Sequence, residues 1–87
     1  MGKSEQKKNW PGFISLYDLP VGCKARVCDN QAEGEIKRRM LDIGLVTDTW
    51  VEALRVSPVG DPKAFRIRGA VIALRKEDAS KIRVSYQ

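Results

Sequence analysis

Eighty-seven residues, 43% hydrophobic and 31% charged, suit one small domain with a single modest core and exclude a multidomain enzyme. No apolar run approaches the ~18 residues of a membrane span, and the polar opening lacks a secretory signal core, so the expected location is cytoplasmic. Sixteen Lys and Arg against 11 Asp and Glu give +5, a charge suited to nucleic acid, an acidic protein surface or a membrane face.

Residues 1–12 (MGKSEQKKNWPG) read as a flexible leader anchored by Trp10, and residues 13–87 as the folded domain. In residues 13–20 (FISLYDLP), Phe13, Leu16 and Leu19 fall at helical spacing and predict a short turn that lids a core. Pro20-Val21-Gly22 then turns into a strand over residues 23–28, with Cys23, Ala25 and Val27 on one face and Lys24 and Arg26 on the other. Five strand steps hold Cys23 and Cys28 about 16 Å apart, too far for a disulfide or a shared metal. Cys23 is expected in the core and Cys28 half-exposed.

Asp29-Asn30 ends the strand and can cap the next element. A helix is predicted over residues 32–43, with Ala32, Ile36, Met40 and Ile43 on one narrow stripe. Glu33 and Glu35 lead it and Lys37, Arg38 and Arg39 come after, as the helix dipole prefers. An interior Gly34 would cost about 1 kcal/mol, and Gly44 is a natural stop. Leu41 lies about 140° from Ile36 on the wheel, so it is either covered by the lid or exposed for a partner.

A strand is expected over residues 50–56, with Leu54 and Val56 on one face. Residues 57–62 (SPVGDP) form a loop too long for a tight hairpin. Residues 64–68 alternate, placing Phe65 and Ile67 inward and Arg66 and Arg68 outward. A tight turn at residues 68–70 leads to an apolar run, residues 71–74, that reads as a central strand. Residues 76–81 suit a helical turn and residues 82–84 a closing strand. The expected fold is mainly β: a small SH3-like barrel of about five strands with one inserted α-helix and a short N-terminal helical turn, because closure removes unpaired edges.

Zero histidines remove the commonest zinc ligand and general base. No calcium-loop or glycine-rich phosphate motif occurs, and the serines have no histidine to activate them. No catalytic residue, cofactor or metal ligand is therefore expected. Arg66 and Arg68 share a strand face without an interleaved aromatic, which makes nucleic-acid binding the lesser reading.

Residues 39–45 (RMLDIGL), 59–62 (VGDP) and 65–75 (FRIRGAVIALR), in this order and spacing, resemble the FeoA family of small accessory proteins of bacterial ferrous iron transport. The resemblance extends from about residue 16 to 84. It implies an SH3-like barrel, no enzymatic activity, and a partner: the cytosolic GTPase portion of the ferrous iron permease FeoB, with the membrane met only through it. At the matching positions Gly44, Gly60, Asp61, Pro62 and Gly69 are expected to shape turns. Met40, Leu41 and Leu45 are the candidates for partner contact, with ordinary core packing as the alternative. A basic nucleic-acid-binding barrel acting through Arg66 and Arg68 is the competing reading, and an iron carrier a third.

Overall fold

Alternating apolar and charged side chains carry several segments of the chain into β-structure, as period-two patterning requires. The computed structural model describes residues 13–86; the leader and Trp10 lie outside the described residues. In chain order it contains β1 (Phe13–Ser15), a 3₁₀ turn (Leu16–Asp18), β2 (Lys24–Asn30), α1 (Gly34–Asp42), β3 (Trp50–Val56), β4 (Lys63–Ile67), β5 (Ala70–Leu74), α2 (Lys76–Ala79) and β6 (Ile82–Tyr86). Among the described residues the six strands form one antiparallel ladder in the order β1-β6-β2-β3-β4-β5.

The sixth strand is β1, where a helical turn was expected from Phe13. Phe13 instead pairs with Ser85 on β6 and is exposed, while Leu16 and Leu19 are buried as the lid. Pairing on a ready edge satisfies the backbone at once, whereas a helical nucleus orders several residues for one hydrogen bond. The lid, which follows β1, also reaches across to β4 and to the loop before it. The Tyr17 hydroxyl donates to the Gly60 carbonyl. Lys63 Nζ, from β4, donates to the carbonyls of Tyr17 at 2.7 Å and Leu19 at 2.6 Å.

Inside the curled ladder Ala25 and Val27 of β2, Phe65 and Ile67 of β4, and Ile82 and Val84 of β6 are buried with the lid leucines. The expected faces of β2 and β4 are therefore the observed ones. On β3 the expectation fails: Val51 and Ala53 point inward, Leu54 is half-buried and Val56 exposed. A register shift against β4 between Ala53 and Arg55 breaks the alternation at the place where Leu54 would be counted inward. The apolar run of β5 is also not central. It is the last strand of the ladder, with Val71 exposed and Leu74 buried.

The helix starts later than expected. Ala32 is buried but precedes it, its N–H donating to Asn30 Oδ1 at 2.9 Å. Gly34 is the first helical residue, so the penalty of an interior glycine does not arise. Ile36 packs against the core and Met40 is within it. The end of the helix is a Schellman motif: Gly44 N–H donates to Leu41 O, and Leu45 N–H to Met40 O, both at 3.0 Å. Gly44 has φ +105°, a conformation that strains any residue with a Cβ, and a Cβ there would also displace the Arg68 side chain, whose Cδ lies 2.5 Å from that position. Arg68 and Gly69, both at positive φ, make the two-residue β4–β5 hairpin.

Candidate docking surface

The Schellman motif decides which side chains at the end of α1 face outward. It folds Leu45 back onto Met40, the apolar contact that accompanies this cap. Met40 is 3% exposed and Leu45 0%, so both belong to the core. Leu41, one residue beyond Met40 and off the stripe, is 42% exposed. Of the three residues expected to meet a partner, only Leu41 offers surface, and the lid does not cover it.

Leu41 stands between two shallow recesses. One, of about 330 Å³, is bounded by Asp29, Asn30, Lys37 and the exposed Val46. The other, of about 400 Å³, is bounded by Ile43, Gly44, Arg68 and Ala70. At the first recess Asp29 Oδ2 pairs with Arg83 at 3.3 Å, while the buried Asp29 Oδ1 and Asn30 Nδ2 have no hydrogen-bond partner among the described residues. The two exposed aliphatic side chains, Leu41 and Val46, suit a partner that brings apolar surface.

The turn residues lie where loop chemistry places them. Gly60 adopts φ +92°, the Asp61–Pro62 peptide is cis, and Ser57 Oγ donates to Asp61 O at 2.9 Å. Asp61 Oδ1 accepts from Lys76 N–H at 2.9 Å, so this loop also supports the start of α2. Sequence reading did not anticipate that long-range cap.

Lys63 was not foreseen either. It occupies an inward position of β4 and is 7% exposed, because the strand begins one residue before the expected alternation. Its Nζ lies 5.1 Å from the centroid of the Tyr17 ring. Burial lowers its pKa below that of an ordinary lysine, and the carboxylate of Asp18 opposes the shift.

Both cysteines are free, Cys23 packed against the core and Cys28 half-exposed on β2. Burial raises the Cys28 pKa; Asp29 raises it too, Arg83 opposes, and Asp48 adds a smaller upward push. Cys28 is thus held as the thiol, a poor nucleophile. Among the described residues no three His, Cys, Asp or Glu side chains come together as a metal site, and no helix is long and apolar enough to cross a membrane.

Arg66 and Arg68 are exposed, as expected, but Arg68 stands in the β4–β5 turn rather than on the strand face beside Arg66, and the pair is not without an aromatic. Trp50 of β3 is 46% exposed and lines the same groove, with the Arg26 guanidinium 4.9 Å from its ring centroid. Three strands and the β4–β5 turn supply these side chains, so spacing within any one strand did not reveal them.

Residues 14–86 match the FeoA domain family. Over 71 residues the chain is 32% identical to the Fe(2+) transport protein A/Fe(2+) transporter FeoB fusion protein of Porphyromonas gingivalis, a match covering 82% of this chain and 8% of that protein. Among solved structures it resembles the FeoA-like protein of Clostridium acetobutylicum, at 31% identity and TM-score 0.80, over 88% of this chain and 90% of the other. It also resembles the zinc complex of Stenotrophomonas maltophilia FeoA, described as a prokaryotic SH3 domain protein, at 29% identity and TM-score 0.75, over 83% and 89% of the two chains. The six-stranded ladder with its short helix is therefore an SH3-like fold, and the chain belongs to the FeoA domain family.

Proposed function

We propose that the chain is a cytoplasmic adaptor that docks on the cytosolic GTPase portion of the ferrous iron permease FeoB and tunes its transport or nucleotide cycle. The fusion protein of P. gingivalis carries this reading: a region similar to this chain is covalently joined there to an FeoB transporter. Joining two modules in one polypeptide keeps each at a high effective concentration around the other, which serves function when they must meet repeatedly.

The docking surface is the patch around Leu41, flanked by Val46 and the two recesses. Covering a leucine of this exposure on association is worth about 1–2 kcal/mol at the usual apolar-area coefficient, or about tenfold in affinity. Met40 and Leu45 act from below by holding the cap that presents Leu41.

Leu41→Asp tests this directly. NMR titration with the cytosolic portion of FeoB, with and without guanine nucleotide, is expected to show binding weakened at least about tenfold. The fold should be retained with at most a modest fall in melting temperature, because the side chain is partly exposed and the cost is that of a carboxylate in the last helical turn. Unaltered binding and unaltered iron uptake in cells carrying the variant would refute the patch as the docking site.

A further inference from the structure

The outer faces of β2, β3 and β4 form a groove of about 540 Å³ lined by Lys24, Trp50, Glu52, Arg66 and Arg68. Lys24 is paired across the ladder with Glu52, and Glu52 with Arg66, so one acidic side chain lies between two basic ones. Glu52 Oε1 engages Arg66 Nε at 3.6 Å. Lys24 and Arg68 make no salt bridge among the described residues. Arg26 covers Trp50 from the β2 side, and the indole remains 46% exposed.

We infer that this groove binds an extended acidic peptide segment of a protein partner, its carboxylates meeting Lys24, Arg66 and Arg68 and an apolar side chain resting on Trp50. An extended peptide directs alternate side chains to one side about 6.6–7 Å apart, so it can present carboxylates to the separated cations and a neutral residue to Glu52. A nucleic-acid strand fits less well. Its phosphates form an unbroken series that would pass the Glu52 carboxylate, and only one aromatic is available where such strands use several stacking platforms. A membrane surface has no segment to fill a groove.

The inference rests on the adaptor reading and extends it. Arg68 borders both the basic groove and the recess beside Leu41, so a partner on Leu41 can continue into the groove without leaving the surface.

The test uses the full chain with Trp10→Phe, so that Trp50 is its only tryptophan and its emission reports on the groove. The probes are a synthetic acidic peptide with Gly and Leu interspersed among its glutamates, oligothymidylate of matched charge, and phosphatidylglycerol vesicles. The acidic peptide is expected to shift Trp50 emission at low salt, with affinity falling about tenfold as the Debye length shortens toward 3–4 Å. The combined Lys24→Gln and Arg66→Gln changes should weaken it about tenfold with the fold intact, because both side chains are exposed. Absence of an emission change overturns the inference, as does a change insensitive to those substitutions or tighter binding of oligothymidylate or vesicles.

The two readings fail separately. Leu41→Gln, which adds no charge beside Arg68, is expected to weaken docking of the cytosolic portion of FeoB and to leave the acidic-peptide response unchanged. If that response persists but the cytosolic portion of FeoB binds the Lys24→Gln, Arg66→Gln protein as tightly as the parent, the assignment of the groove to this partner is overturned while adaptor docking stands.

Discussion

Replacing Lys63 by Met removes the ammonium group that ties β4 to the lid and keeps most of the apolar stem. In the native protein Nζ donates to two carbonyls, Tyr17 O and Leu19 O, at 2.7 and 2.6 Å, and sits over the Tyr17 ring. Hydrogen bonds to a charged group contribute about 1.5–3 kcal/mol each. Against them stands the cost of burying the ammonium, which is the cause of the lowered Lys63 pKa. With two carbonyls left lacking a donor, the net loss in Lys63→Met should be about 2–4 kcal/mol. For a domain of this size that is a fall in melting temperature of roughly 10–25 °C.

The pH dependence supplies a second readout. Because the folded-state pKa lies below the unfolded value near 10.5, the native protein binds fewer protons than the unfolded chain between those two values. Stability from this group is therefore fully present above the unfolded pKa and falls as pH drops through the folded one. The neutral amine still has enough N–H donors for both carbonyls. The difference in unfolding free energy between parent and Lys63→Met should grow as pH rises from 8 toward 10.5, measured by urea denaturation at each pH. A melting temperature lowered by less than about 4 °C, or a difference that shrinks with rising pH, would refute the assigned role of Lys63.

Gly44→Ala should destabilise by about 1–3 kcal/mol in thermal denaturation, since the Schellman cap holds the backbone at φ +105° and the new Cβ must displace the Arg68 side chain; an unchanged melting temperature contradicts it. Asp61→Ala should cost about 1 kcal/mol through loss of the acceptor for Lys76 N–H, read as a lower urea midpoint. In a Cys23→Ser background, Cys28 should be alkylated by iodoacetamide near neutral pH more slowly in the folded protein than in urea. Mass spectrometry tracks the reaction, and equal rates would show that the raised pKa is wrong.

Helix and strand periodicity in the sequence located the elements well where one residue pattern met one environment. The charged-apolar alternation of residues 24–27 and 65–68 alone placed Ala25, Val27, Phe65 and Ile67 inward. Alternation misplaced β3, because a bulge is a property of two paired strands and leaves no mark on either one read alone. Leu41 was separable from the core stripe by its wheel position, but exposure depended on where the lid settled. Met40 and Leu45 have the same apolar character as Leu41 and are core residues only because the Schellman cap turns the chain inward at Gly44.

Residue types and their local order thus determined by themselves that this chain is mainly β with one main helix and has turns at Gly22, Gly44, Gly60 and Gly69, and they supported its family resemblance. The tertiary structure alone decided that Lys63 is buried on two lid carbonyls, that Asp61 caps a helix fifteen residues away, and that Trp50 joins Lys24, Arg26, Arg66 and Arg68 on one face. Local backbone preference acts over a few residues and can be read along the chain. Cross-strand neighbours are set by ladder order and register, which emerge only when the whole sheet closes around its core.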